Sequence, residues 1–398
     1  MKLPSKTGFY MKIAALLFTA FLLGVIVAEA TSPASTFYIS GGVYPGAPSY
    51  TVWKEGSNYF AKNANGFIEY SGTNASQTIN AILTSHYSVF IMHGTYVLDT
   101  KIVLNYGNIG ISGEGNSTIL SYSGTDTAIE IGDGSTDIRN WWIKNIGIVI
   151  GLGATGIRVN GDTYYGKLDE ITIQATASSS IGIDFKATSN WEGYHQVYFP
   201  YISEALQGIR FSGAQAKTGI MIYGGVLKGR GSAIANGIGL NITNVNTLQV
   251  HGMGISAYET AVQVNTSYAN FFNGLRMESV IYGSVLASDA SQNRFFDCSI
   301  VTYTTAIVND GAANRYKYWY GDKYTEIAAN LSVTGAVNSF DIVHGLFLPP
   351  EVIHVTAEQS GQGDYWISVV DATKITLSFT NQPGGSAWWF LVYIAISE

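Results

Sequence analysis

The sequence predicts an all-β chain built around a right-handed parallel β-helix, with an N-terminal capping helix and a small C-terminal β-sandwich. Three observations carry this expectation. Charged residues fill 12% of 398 positions, about half the usual ~25%, while Gly (45) and Tyr (26) are abundant and Pro (8) is scarce. No long stretch after residue 30 keeps a helical period, and Tyr, Val, Ile and Thr favour strands. Finally, one four-residue pattern returns at nearly constant spacing through the middle of the chain.

Residues 1–30 read as a secretory signal peptide. Lys2, Lys6 and Lys12 precede an apolar run from Ile13 to Ala28, and Ala28, Glu29 and Ala30 form a small-x-small cleavage site. The alternative is an uncleaved anchor, since the run is only slightly short of the ~20 residues of a membrane span. Removing the segment leaves 18 basic and 27 acidic residues, net −9. That charge argues against nucleic acid, whose phosphates need a basic patch. Five Asn-x-Ser/Thr sequons, at Asn74, Asn116, Asn241, Asn265 and Asn330, fit a secreted or cell-surface glycoprotein. Cys298 is the only cysteine, so no internal disulfide forms; within "FFDCSI" it reads as a small buried apolar residue.

Residues 31–73 form an N-terminal β-hairpin segment, with strand, turn and strand in "YTVWKEGSNYFAKNANGFIEY" at 50–70. Residues 74–324 carry the β-helix. Asn74 can cap a short helix with Ile79, Ile82 and Leu83 on one face, covering strand edges that otherwise invite aggregation. Strands follow at about 89–92, 96–98 and 101–104. The repeat then opens at Ala128 ("AIEI"), Gly156 ("GIRV"), Gly182 ("GIDF"), Gly208 ("GIRF"), Gly237 ("GIGL") and Ala261 ("AVQV"), and near Ser284 and Ala306. Its steps of 22–29 residues imply stacked repeats. Apolar residues two apart, such as Ile157 and Val159, face inward; Arg158, Asp184 and Arg210 face outward. One such strand cannot bury its apolar side alone, but coiled copies ~4.8 Å apart can. A leucine-rich repeat has a similar period, but its leucine/asparagine consensus and helical stretch are missing. A second column, Asn246, Asn270, Asn293 and Asn314, predicts an asparagine ladder at one corner.

The capping helix followed by "VFIMHGTYVL", "KIVL" and "IGISGEGNSTIL" resembles the opening of the pectate-lyase-like β-helix superfamily, most closely at Gly94–Tyr96 and Gly113–Thr118. The resemblance covers residues 74–320. It implies a carbohydrate ligand and leaves the activity open, because lyases, hydrolases, epimerases, phage tail spikes and non-catalytic surface proteins share that fold. Residues 325–398 lose the period and alternate over longer strands, predicting the small β-sandwich. Around Phe340–Leu346 this segment is similar to terminal modules of phage tail proteins and to H-type lectins, which implies a homotrimer.

The outward column of the repeats reads Glu130, Arg158, Asp184, Arg210, Gly239 and Gln263. Alternating signs suit cross-strand ion pairs of ~0.2–1 kcal/mol each. Glu130, Arg158, Asp184 and Arg210 are also the catalytic candidates. The resemblance implies, for a lyase, calcium held by carboxylates and an arginine or lysine base. Arg158 between two carboxylates would hold its proton, and no dense acidic cluster suggests calcium. For a hydrolase, Glu130 and Asp184 two coils apart lie ~9.6 Å from each other, at the edge of the inverting range. The superfamily's hydrolase motifs, such as Asn-Thr-Asp and Gly-His-Gly, are absent. Asp169 and Glu170 read as a solvated turn. His195 and His251 have no second ligand at metal spacing, so no cofactor is expected unless a lyase uses calcium.

Aromatic crowding gives the stronger binding signal. In "NWEGYHQVYFPY", Trp191, Tyr194, His195, Tyr198 and Tyr201 are the carbohydrate-contacting candidates. "YKYWYGDKY" at 316–324 reads as padding toward the terminal module. The sequence therefore predicts an exported glycan-binding or structural surface protein whose partner is a polysaccharide or cell-surface glycan. The alternative is a polysaccharide lyase or glycoside hydrolase acting on an extracellular, uronic-acid-containing polymer. A fully paired outward column favours binding; free carboxylates along it favour an enzyme.

Overall fold

The computed structural model describes residues 48–398 except 178, 189–191, 232–234, 312–313, 318–319, 322–338, 344–351, 358–364, 372–373, 380–389 and 396–398. The expected signal peptide and the sequon at Asn330 lie outside the described residues.

The described residues begin with a three-stranded meander. Tyr50–Glu55 pairs antiparallel with Asn58–Asn63, which pairs with Ile68–Gly72. The sequence predicts two strands here. The third arises because the Asn63 side chain accepts the backbone N–H groups of Asn65 and Phe67, at 2.9 and 3.1 Å, and turns the chain back. Tyr50–Glu55 also pairs in parallel with Val89–Ile91, so the meander continues into the first coil. Helix α1, Ala75–Thr84, starts at Asn74, whose side chain accepts the Gln77 N–H at 2.9 Å. Its buried face holds Ile79, Ile82 and Leu83, as expected.

The middle is a right-handed parallel β-helix of about nine turns. Three parallel sheets run along it. Sheet 1 contains Val89–Ile91, Gln196–Tyr198, Met221–Tyr223 and Gln249–His251; sheet 2 contains Gly94–Leu98, Tyr201–Ser203 and Val226–Lys228; sheet 3 contains Thr127–Ile131, Thr155–Asn160, Ile181–Lys186, Gln207–Ser212, Ile238–Thr243 and Thr260–Asn265. A narrow fourth side of two-residue strands includes Thr163–Tyr164, Glu192–Gly193 and Lys217–Thr218. The core is the inward columns: Ile129, Ile157, Ile183, Ile209, Leu240 and Val262 stack in register, all fully buried. Packing of this kind, rather than disulfides, holds the coils.

Two readings of the repeat shift in register. Ile209 pairs with Leu240 and Val262 with Ser284, so the small residues that open these copies are Gly239 and Gly283, not Gly237 and Ser284. The step from Gly208 is therefore 31 residues, a longer excursion that the average spacing concealed. Close approach explains the small residue. A Cβ on Gly182 would stand 2.5 Å from the Gly208 carbonyl oxygen, and one on Gly208 would stand 2.7 Å from that of Gly239.

The corners share one device, a single left-handed residue per coil. Between sheets 1 and 2 these are Asn145, Glu170, Phe199, Gly224, Gly252, Gly274 and Asp297, with φ from 47° to 66°. Two residues before eight of the sheet 1 strands, the fourth-side corner uses Asn108, Asn140, Tyr165, Tyr194, Gly219, Thr247, Ala269 and Gln292, with φ from 55° to 64°. The residue after each of these points inward. There the asparagine ladder forms. Asn270 accepts the Leu248 N–H at 2.8 Å, Asn293 accepts the Asn270 N–H at 3.2 Å, and Asn314 accepts the Asn293 N–H at 2.9 Å. All three asparagines are fully buried. Asn246 is not a rung: it lies two residues earlier, paired with Thr218 on the fourth side, and Leu248 occupies its place.

Toward the C-terminus, Ser339–Val343, Lys374–Phe379 and Tyr365–Val370 form one antiparallel sheet, and Val352–Ala357 with Phe390–Ala395 form another. These are the antiparallel strands expected of a β-sandwich.

Candidate functional site

The outward column of sheet 3 is bonded to itself. Lys101 pairs with Glu130 and, at 3.3 Å, with Asp126. Arg158 bridges Asp126 at 3.1 Å and Asp184 at 3.7 Å. Asp184 takes two bonds from Arg210, at 3.0 and 2.6 Å, and one from the Ser212 hydroxyl at 2.7 Å. Its side chain is fully buried by these partners. Glu130 also accepts from the Asn160 amide at 3.0 Å. Arg158 thus stands between two carboxylates as expected, but the first is Asp126 rather than Glu130; Asp126 lies in the turn leading into Thr127–Ile131, where no strand alternation points to it. Burial pushes the Asp126 carboxyl up, but its bonds from Arg158 and Lys101 outweigh this and hold it below the usual carboxylate range. With the register corrected, the column continues from Arg210 to Asn241 and Gln263; Gly239 is not part of it. Among the described residues no three His, Cys, Asp or Glu side chains converge as a metal site.

The aromatic segment divides among different surfaces. Trp191 lies outside the described residues. His195 points into the core, 1% exposed, between the rings of Trp141 and Phe185, and is no surface ligand. The left-handed residue at Tyr194 turns it inward, into the column that later carries the asparagine ladder. It plays the same part there: its Nδ1 accepts the Gly166 N–H at 3.0 Å, as Asn270 accepts that of Leu248. The proton therefore sits on Nε2, 3.4 Å from the Thr163 hydroxyl. Burial lowers its pKa to about 3, so the ring is neutral.

Tyr198 faces outward on sheet 1 and begins a stack. Its ring lies 5.1 Å from that of Tyr223, which lies 5.4 Å from the ring of His251, with planes 14° and 11° apart. The Lys167 ammonium sits 4.5 Å from the Tyr198 ring centre, closing one end. Phe199, at the left-handed corner, is 60% exposed, and Tyr201, on sheet 2, is 42% exposed. Tyr201 lines an open groove of about 570 Å³ together with Gln174, Ser203, Glu204, Lys228 and Arg230. Arg230 fixes one wall: it pairs with Glu204 at 3.3 Å and donates to the carbonyls of Glu204 and Ala175 at 3.1 and 3.4 Å. The groove combines one exposed ring with amide, hydroxyl, ammonium and guanidinium groups, the mixture that recognises a polyhydroxylated ring. Sequence reasoning missed Gln174, Lys228 and Arg230. They come from the two coils on either side of that of Tyr201, and no local motif joins them.

Two polar groups on the inner column of the fourth side were also missed. Glu192 and Lys217 are cross-strand partners and fully buried. Lys217 donates to the carbonyls of Gln215 and Thr243 at 3.1 and 3.2 Å. Burial pushes the Glu192 carboxyl well above its ordinary range and lowers Lys217 to about 8. Two-residue strands carry no period by which to find them.

Of the described sequons, Asn116 is exposed, Asn241 and Asn265 are half-buried, and Asn74 is engaged as the helix cap and in a 2.6 Å bond to Asp99. Cys298 is buried, as expected, and burial pushes its thiol up to about 12.

No family model and no curated protein matches the chain. Among solved structures it is similar to Geobacillus virus E2 ORF18, at a TM-score of 0.53 and 12% identity over 79% of this chain and 74% of that one. It also aligns with an Acinetobacter phage tailspike protein, at a TM-score of 0.42 and 9% identity over 80% and 83% of the two chains. An iota-carrageenase complexed to iota-carrageenan fragments aligns at 0.36 and 14% identity over 55% and 51%. The first likeness supports a shared fold. At these identities none assigns an activity.

Proposed function

We propose that this chain is a non-catalytic, carbohydrate-binding β-helix protein of the pectate-lyase-like kind, acting outside the cell or on a particle surface. A polysaccharide lies in the groove on sheet 2 and extends over the corner onto sheet 1. One observation carries the reading: a single stretch of the chain turns Tyr198, Phe199 and Tyr201 outward beside a groove walled by hydrogen-bonding side chains. The catalytic alternative draws no support from sheet 3. Asp184 is buried under two arginines, and Glu130 is held by Lys101 and Asn160, so neither carboxylate is free to serve as acid, base or nucleophile. The homotrimer implied by the C-terminal resemblance belongs to the same proposal.

The test is calorimetry and product analysis on neutral and uronic-acid polysaccharides, with and without calcium. Saturable binding that Tyr201→Ala weakens about tenfold, with the polymer left intact, is the expected result. Chain shortening by the parent protein would replace the reading with a lyase or hydrolase, and the product mass would decide which. Light scattering showing a monomer of the mature chain would remove the trimer.

A further inference from the structure

Three charged side chains stand at the groove beside Tyr201: Glu204, Arg230 and Lys228. Glu204 and Arg230 cancel each other, 3.3 Å apart. Lys228 takes no part in that pair. It is exposed, its neighbours in the adjoining coils are Ser203 and Ser256, and among the described residues no carboxylate pairs with its ammonium. The groove therefore carries a net positive charge in a chain whose formal net charge is −7. The surrounding face makes the same choice. From Gln196 to Phe296 the strands of sheets 1 and 2 hold a single carboxylate, Glu278, and Arg276 meets it at 3.7 Å. The corners between those strands add one acid, Asp297. Arg294, exposed on a sheet 1 strand, has no carboxylate partner among the described residues either. On sheet 3, by contrast, Lys101, Arg158 and Arg210 each have one. Solubility does not account for the lone cations, because in an acidic chain they reduce the net charge that keeps it dispersed.

We infer that Lys228 is a specificity-determining residue of the groove and that the glycan bound there is anionic, its carboxylate or sulfate meeting the Lys228 ammonium while Tyr201 stacks on a sugar ring. The inference rests on the carbohydrate-binding reading and names its ligand class. Tyr201 pairs with Val226, and Lys228 lies two residues further along that strand. One coil of ~4.8 Å and two residues of ~3.3 Å each put the two backbone positions about 8 Å apart. The acidic group therefore sits at the edge of the stacked sugar or on the next one. Arg294 lies three coils beyond Lys228, ~14 Å along the axis, and takes a second acidic group where the glycan crosses onto sheet 1.

The experiment is calorimetry on the full chain at about 0.05 and 0.5 M salt. The probes are two matched pairs: a uronate oligomer with its methyl ester, and a sulfated galactan oligomer with its desulfated form. Lys228→Gln, Lys228→Arg, Arg294→Gln and Tyr201→Ala are compared with the parent. At low salt one acidic oligomer should bind about tenfold more tightly than its neutral twin. The ratio should fall to about twofold or less at high salt and in Lys228→Gln, and Lys228→Arg should retain it. Tyr201→Ala should weaken both twins and leave their ratio unchanged. The pair that shows the ratio identifies the acid as carboxylate or sulfate. Equal binding of the twins by the parent overturns the inference and leaves the groove as a neutral-glycan site. A ratio that survives Lys228→Gln but disappears in Arg294→Gln places the anion on sheet 1 and overturns the role of Lys228. No binding of any probe by the parent overturns the inference and the carbohydrate-binding reading together.

Discussion

Sheet 3 and the rim of sheets 1 and 2 carry outward side chains on the same scaffold, yet they use them in opposite ways. On sheet 3, Lys101, Glu130, Asp126, Arg158, Asp184 and Arg210 close on one another until Asp184 is shut off from water. On the rim, Phe199 and Tyr201 stay open beside the groove. A stack of parallel strands thus offers each outward column the same choice. Complementary charges in successive coils satisfy the column internally and make it structural, whereas aromatic and neutral polar groups leave it able to meet a ligand. Charge density therefore points away from the proposed binding face here.

The largest effect that can break this comparison is Asp184→Ala. It leaves Arg158 and Arg210 facing each other without their shared carboxylate, and about 3 kcal/mol of stability should disappear in chemical denaturation. Glycan affinity should not change; if affinity fell in a folded variant, sheet 3 would be a working face after all. Next comes His195. Replacement by Ala deprives the buried Gly166 N–H of its acceptor and opens a cavity, for about 2 kcal/mol, whereas His195→Asn should recover most of that loss. Equal destabilisation by both would deny that the histidine acts as an asparagine-like rung. Third, Tyr201→Ala should cost about 1.4 kcal/mol of binding, the tenfold loss expected in calorimetry, and shift stability by less than about 0.5 kcal/mol.

The last prediction concerns pH. Burial lowers the Lys217 ammonium from its ordinary 10.5 to about 8 in the folded chain. Between these values the unfolded chain holds more protons, so stability should rise with pH across that window. Lys217→Met should flatten that rise in urea titrations from pH 7.5 to 10.5. Glu192 has the opposite sign: its raised pKa makes the folded chain hold a proton longer, so stability falls as pH climbs above about 4.5, and Glu192→Gln should remove that slope.

The fold was legible because the parallel stack forces periodicity onto the sequence. Ile157, Ile183 and Ile209 must share a column, and Asn270, Asn293 and Asn314 must share a corner. What escaped follows from left-handed corner residues, which break strand alternation without a sequence period of their own. Tyr194 turns His195 inward, so a histidine inside an aromatic surface segment becomes a core residue. The insertion before Ile238 shifted the copy at Gly239 by two residues and put Asn241 in the outward column. The ion-pair face could be anticipated from alternating signs. The groove could not, because its walls come from residues 174, 201, 203, 228 and 230, brought together only by coiling.

The lengthwise hydrogen bonding has a mechanical consequence. Between coils, the backbone bonds run along the axis: the Thr155 N–H donates to the Asp126 carbonyl, Ile181 to Ala154 and Leu206 to Ser180. Tension applied along that axis would put the same load on every layer of bonds, because the layers are in series, and the weakest layer would yield first. Such a rod would give way by shedding single coils, each paying out some 22–31 residues of slack. A pull across the axis is different: it falls on the continuous covalent chain of every coil at once. A protein of this build would resist being pulled across its axis better than along it.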